Sequence, residues 1–206
     1  MGMKMKWLLL VLVGAFLLLA ANIETLWLAK IDNQLLLQFE NIRNDFLTEA
    51  FQFISDVGSI KGLLFISGLA TVYLLYRKRI ADVLFLMIVF WGSRGINSII
   101  KNWVERDRPE INPLFNAAGF SFPSGHAMNS AAVLGFFCFL LCFHLKSERF
   151  RKGSVIVTVL LVVFIGASRI YLGVHYMTDI IGGYLAGIIW MLIAVSLYNY
   201  LESEKG

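Results

Sequence analysis

The stretch Ile180–Leu201, IIGGYLAGIIWMLIAVSLYNYL, runs for 22 residues without a charge. As a helix rising about 1.5 Å per residue it would be about 33 Å long, enough to cross the hydrocarbon core of a bilayer. A helix that is apolar on every side has to be buried or span a membrane. Five further stretches read the same way: Trp7–Ile23; Ser59–Tyr76, with Lys61 near enough to its end to snorkel; Ile80–Ile100, interrupted by Asp82 and Arg94; Ala127–Leu145; and the shorter Gly153–Ser168. Composition agrees, because 58% of the 206 residues are hydrophobic and 16% charged, against about 45–50% and 25% in soluble domains. Only three prolines and 17 glycines are present, which excludes collagen-like and proline-rich chains, and the apolar fraction excludes a disordered tail. The expectation is an all-α integral membrane bundle of six transmembrane helices, forming a single membrane-embedded domain over residues 1–206, with no internal repeat or linker.

Basic residues outside the spans set the orientation. Lys4 and Lys6 precede the first span, Arg77, Lys78 and Arg79 follow the second, and Lys146, Arg149, Arg151 and Lys152 follow the fourth. These segments alternate, so they share one side. That side is expected to be the cytoplasm, with both termini there, in a plasma (inner) membrane. This rule also accounts for most of the formal charge of +4 without a nucleic-acid partner. The first span resembles a signal peptide in following two lysines, but five spans come after it and Ala20-Ala21-Asn22 is a weak cleavage site, so an anchor is expected. Cys138 and Cys142 share one face of the fourth span and read as small buried hydrophobes, neither a disulfide nor a metal site.

The other side receives Glu24–Asp56, which is acidic. Within it Leu28, Ile31, Leu35, Phe39, Ile42, Phe46, Ala50, Phe53 and Val57 recur at spacings of three and four, a helical apolar stripe. One or two helices lying in the outer interface over residues 24–57 are expected, broken near Asn41–Asp45; a helical hairpin packed on the bundle is the alternative.

Topology does not explain the cations on this outer side. Lys101 ends the third span, Arg106 and Arg108 follow it, and Arg169 closes the fifth. Any one of them alone reads better as a snorkelling anchor at a helix end. Their neighbours are more specific. In Phe122-Pro123-Ser124-Gly125-His126 proline and glycine mark a loop and serine is a preferred cap, so Ser124 and Gly125 should start a helix whose free N–H groups suit a phosphate. Between the fifth and sixth spans His175 and Asp179 are four apart. On one helix face they would meet, either as an oriented imidazole with one nitrogen free for chemistry or as a structural pair capping the helix.

Taken in order, Lys101-(six residues)-Arg108-Pro109, Pro123-Ser124-Gly125-His126 and Ser168-Arg169-(five residues)-His175-(three residues)-Asp179 resemble the three-part signature of the type 2 phosphatidic acid phosphatase (PAP2) superfamily. Every signature position is filled. The likeness extends to the scaffold of six spans and interfacial helices after the first, and to the bacterial members acting on phosphatidylglycerophosphate or undecaprenyl pyrophosphate. The resemblance implies a hydrolase in which His175 is the nucleophile and forms a phosphohistidine, Asp179 orients it, and His126 protonates the leaving oxygen. Lys101, Arg108, Ser124, Gly125 and Arg169 would hold the phosphoryl oxygens, at the outer face. Charge stabilisation and in-line positioning are what phosphoryl transfer needs. No cluster of Asp, Glu, His or Cys suggests a magnesium or zinc cage, so no metal and no other cofactor is expected.

Arg94 shares a helix face with Asn97 and Lys101, about 10 Å deeper than Lys101. Pairing with a buried carbonyl or carboxylate is the preferred expectation for it, and contact with a second headgroup phosphate is the alternative. His144, beside the cytoplasmic loop, reads as an interfacial residue. A lipid or ion transporter or flippase is the rival function, but polar residues gathered at one face without a repeat favour an enzyme. The expected partners are the bilayer and a lipid phosphate, with no nucleic acid and no obligate protein partner. The headgroup chemistry does not choose between phosphatidylglycerophosphate, phosphatidate and a polyprenyl diphosphate.

Overall fold

A computed structural model describes residues 2–203; residue 1 and residues 204–206, the ends of the expected 1–206 unit, lie outside the described residues. Eight helices and no strand are present among them: α1 (Met3–Asn22), α2 (Leu26–Asn41), α3 (Asp45–Val57), α4 (Ile60–Tyr76), α5 (Ile80–Val104), α6 (Gly125–His144), α7 (Glu148–Tyr171) and α8 (Met177–Ser203). Five of these are long and apolar enough to cross a membrane, and six spans result if α3 and α4, bent by 52° at their junction, count as one. The all-α membrane bundle is therefore as expected. Helices run past the apolar stretches where polar residues continue the backbone pattern. Thus α7 begins at Glu148 and has 24 residues, and α5 continues to Val104, where Glu105 takes a left-handed conformation and caps it.

The centre of the bundle is α6. Residues Ala127–Leu134 of it are all buried, enclosed by α8, α7 and α5. Close approach of α6 and α8 depends on two glycines. A Cβ at Gly183 would come within 2.8 Å of the Ser124 carbonyl oxygen, and one at Gly187 within 2.4 Å of the Met128 oxygen. Small residues permit this kind of backbone contact between helices in lipid. The seam holds the start of α6 against the start of α8, where Ser124 N–H donates to the Asp179 carbonyl at 3.0 Å.

The break between the two amphipathic helices falls at Ile42–Asn44, where the Asn44 side chain accepts the Leu47 N–H at 3.0 Å and caps α3. From there α3 runs alongside the last turns of α7, with Thr48 at the Tyr171 hydroxyl (3.0 Å) and Gly58 against Ile165. Its partner α2 packs on α7 and α8, burying Asp32 and Leu36. The loop after α5 lies over the same end. It is fastened there by Arg43, which donates to the Tyr171 and Asn112 carbonyls at 3.0 and 2.7 Å.

At the opposite end, Asp82 of α5 is buried and accepts from His144 Nε2 of α6 and the Tyr198 hydroxyl of α8, each at 2.7 Å. His144 is thus tied into the bundle, a role its position in the sequence does not suggest.

Candidate active site

Helix ends and one loop bring the expected residues together. A cavity of about 590 Å³ is lined by Lys101 and Arg94 from α5, Arg108 from the loop, Gly125 and His126 from α6, Arg169 from α7 and His175 from the junction before α8. Ser124 and Asp179, both 0% exposed, stand behind this wall. Ser124 is the N-cap of α6, yet its hydroxyl makes no capping bond. The Ser124 Oγ and Arg169 Nε are buried donors without a hydrogen-bond partner among the described residues. A buried donor of this kind is expensive unless something accepts from it.

His175 precedes α8 instead of sharing a helical face with Asp179, and the pair meets through the junction. Its Nδ1 lies 3.4 Å from Asp179 Oδ2 and 3.2 Å from Ser121 Oγ. Ser121 Oγ donates to Asp179 Oδ2 at 2.5 Å, and the Tyr176 N–H donates to the same oxygen at 2.8 Å. On the other edge of the ring, Arg108 Nη1 donates to His175 Nε2 at 3.2 Å. A guanidinium only donates, so Nε2 presents its lone pair toward the cavity side and Nδ1 carries the proton toward Asp179. The imidazole is 2% exposed. Burial, opposed by Asp179 and reinforced by Arg108 and Arg169, pushes it down to about 4, so it is neutral in ordinary buffers.

The cations are held in place by carbonyls and hydroxyls. Lys101 Nζ donates to the Phe120 and Ser121 carbonyls. Arg108 donates to Gly119, Val174 and Ala118 carbonyls at 2.8, 2.9 and 3.1 Å, and burial lowers its basicity against the pull of Asp179. Arg169 Nη1 donates to Ser55 Oγ. Fixed positive groups around a sheltered nitrogen suit an anion whose charge is being redistributed.

Sequence reasoning placed Arg106 among the outer cations but gave it no role, and Asp32 fell within the acidic segment Glu24–Asp56 without a role of its own. The structure joins them. Arg106 Nη1 donates to Asp179 Oδ1 at 2.7 Å and to Thr178 Oγ1 at 2.6 Å, while Nη2 donates to Asp32 Oδ2 at 2.8 Å. Asp32 also accepts from Thr178 N at 3.0 Å and Thr178 Oγ1 at 2.5 Å. Burial works against the charge of Arg106, but Asp179 and Asp32 outweigh it and raise its basicity. Tyr176 stacks over the guanidinium at 4.3 Å. The one available signal was that Arg106 is a cation on the side where the positive-inside rule puts few; nothing in the spacing names its partner.

Arg94 departs from expectation. It lines the cavity, but no carbonyl or carboxylate among the described residues accepts from it, and its guanidinium lies 5.8 Å from the Trp91 ring centroid. The preferred buried pairing is therefore not formed among the described residues, because the face it shares with Lys101 opens on the cavity.

Residues 79–203, from the start of α5 to the end of α8, match the family described as the PAP2 superfamily. The chain belongs to that superfamily. Phosphatidylglycerophosphatase B of Bacillus subtilis is 34% identical over 84% of this chain and 86% of its own length. Lipid A 4'-phosphatase of Bacteroides thetaiotaomicron is 31% identical over 86% of this chain and 83% of its own. The crystal structure of a transmembrane PAP2-type phosphatidylglycerolphosphate phosphatase from Bacillus subtilis superposes with a TM-score of 0.89 at 32% identity, covering 93% of this chain and 96% of that one. This PAP2 protein is thus a multi-span membrane enzyme of the lipid phosphatase family.

Proposed function

We propose that this chain, acting as one membrane-embedded catalytic unit, removes the terminal phosphate of a membrane lipid through a phosphohistidine on His175, without a metal. The candidate substrates are phosphatidylglycerophosphate, a polyprenyl diphosphate such as undecaprenyl pyrophosphate, and phosphatidate. The observation that carries the reading is the orientation of His175: Nδ1 turned to Asp179 and Ser121, and Nε2 turned to Arg108.

In the first step the Nε2 lone pair attacks phosphorus and the bond from phosphorus to the lipid oxygen breaks. Lys101, Arg108, Arg169, the Ser124 hydroxyl and the Gly125 N–H hold the phosphoryl oxygens, while His126 gives its proton to the departing lipid oxygen. The Nδ1 proton remains between His175 and Asp179, which stabilises the cationic ring. In the second step a water attacks phosphorus, His126 takes its proton, and the phosphorus–nitrogen bond breaks to release inorganic phosphate. General acid–base help of this kind is worth about 10²–10⁴-fold, and covalent catalysis divides one hard displacement into two. The basic segments near Lys4, Arg77–Arg79 and Lys146–Lys152 support the reading that both termini face the cytoplasm and that the site opens on the outer face of a plasma (inner) membrane.

Turnover of the three lipids by purified protein tests the function. Brief incubation with a substrate labelled in its terminal phosphate should leave an acid-labile, alkali-stable label on the wild type and none on His175→Ala. A label that survives in His175→Ala would remove the nucleophile from this scheme.

A further inference from the structure

The cavity extends below the groups assigned to the scissile phosphate, and it is charged there as well. Lys61, in the first turn of α4, lines it together with Arg94 and Asn97 of α5. Arg94 lies seven residues before Lys101, about 10 Å further along the helix toward the membrane interior. In contrast to Lys101, Arg108 and Arg169, neither Lys61 nor Arg94 donates a hydrogen bond to any described residue. The cavity thus gathers five cations, Lys61, Arg94, Lys101, Arg108 and Arg169, against one carboxylate, Asp56. The start of α4, capped by Ser59 at 3.1 Å through the Gly62 N–H, adds the positive end of a helix. A single phosphomonoester brings about two negative charges and leaves part of this field unmatched. Cations at membrane depth need a partner.

We propose that Lys61 and Arg94 form a second anion subsite, which selects lipids carrying another phosphate between the scissile one and the tail. This rests on the reading that the upper cations and His175 hold the terminal phosphate. With that phosphate at His175 and the tail directed into the membrane, the next group along any substrate is presented at the depth of Arg94 and Lys61. In a lipid diphosphate that group is the directly bonded phosphate; in phosphatidylglycerophosphate it is the phosphodiester, one glycerol away. Phosphatidate has nothing anionic there.

The test uses full-length protein in detergent and two substrate pairs matched in their tails: farnesyl monophosphate with farnesyl diphosphate, and phosphatidate with phosphatidylglycerophosphate. In Arg94→Gln and Lys61→Gln the ratio of kcat/KM for the two-phosphate over the one-phosphate member should fall about tenfold, the loss of one charge-assisted contact. A fall in both pairs supports a subsite taking either spacing; a fall in one pair supports it for that spacing alone. Ratios unchanged in both pairs for both variants overturn the proposal, even with the phosphatase reading intact. Wild type inactive on all four lipids would instead overturn the phosphatase reading. Lys61 is exposed, so its variant remains informative if Arg94→Gln does not fold.

Discussion

Arg106 Nη1 lies 2.7 Å from Asp179 Oδ1, on the side of the carboxylate turned away from His175. The second arm of the guanidinium reaches Asp32 at 2.8 Å, so one cation joins α2 to the residue that orients the histidine. All three groups are buried. Two carboxylates around one guanidinium leave the set with a net negative charge, which suits a neighbour that, in the proposed reaction, would become a cationic ring.

Asp32→Asn should therefore lower kcat about a hundredfold while leaving KM within about threefold, because it loosens Asp179 without touching the phosphate. Arg106→Lys should recover little, since an ammonium cannot bridge both carboxylates in the plane of a fork. Steady-state kinetics on one lipid phosphate checks both. A rise in KM at constant kcat would place Arg106 and Asp32 in binding instead of positioning.

Asp179→Asn should cost about a hundredfold or more in kcat and slow formation of the phosphohistidine, because the proton on Nδ1 loses its charged acceptor and keeps at best a neutral amide oxygen. Rapid-quench measurement of the labelled intermediate reports this directly. A normal burst followed by slow turnover would assign Asp179 to the hydrolytic step.

The pH response of His175 follows from its surroundings. Burial is the largest cause, Asp179 pulls the other way, and the net is a fall from 6.5 to about 4. Between those values the unfolded chain holds a proton that the folded one lacks, so this residue's contribution to stability declines as pH drops from about 6.5 to about 4. Histidine-selective nitrogen-15 spectra of the protein in micelles, assigned with His175→Ala, should show a neutral ring at pH values well above 4. A midpoint above 6 would contradict the burial described.

The proposed metal independence gives a simple experiment. Phosphate release should persist in excess chelator, because in that scheme Lys101, Arg108 and Arg169 supply the positive charge around the phosphoryl group. Activity lost to chelator and restored by magnesium would require a different mechanism.

The α6–α8 seam should tolerate no added volume. Gly187→Ala places a methyl 2.4 Å from the Met128 oxygen and 2.9 Å from Ala131 Cβ and should destabilise the bundle by about 1–3 kcal/mol. Gly68→Ala in α4 meets nothing within 4 Å and should be neutral or stabilising. Thermal unfolding in detergent followed by tryptophan fluorescence separates the two; equal midpoints would count against the seam.

Most of the bundle was legible because lipid imposes a simple rule on sequence: about 20 apolar residues per crossing. The amphipathic helices and their break near Asn41 were legible from the three-and-four spacing of Leu28 to Val57. That α3 would follow the last turns of α7 was not, since an apolar stripe tells which face is buried but not against what. The cavity-lining cations and the start of α6 stood out through basic residues on the face where the positive-inside rule puts few and through a proline-serine-glycine helix start. Arg106 with Asp32, 74 residues apart, and Asp82 with His144, 62 apart, could not be read in the same way. Pairings across separate helices follow no periodicity, and a buried polar group looks like an exposed one until its partner is located.

The hydrogen-bonded set of Asp82, His144 and Tyr198 gives the molecule a second fastening far from the chemistry. Apolar helices in lipid gain little by preferring each other to the acyl chains, so their sliding and rotation have to be fixed by polar contacts and close backbone packing. Helix α8 carries a member of each fastening, Tyr198 at one end and Asp179 at the other. It acts as a ruler between the two faces of the membrane: with Tyr198 fixed to Asp82, the rise and rotation of the intervening turns set where Asp179, and with it the His175 imidazole, can stand.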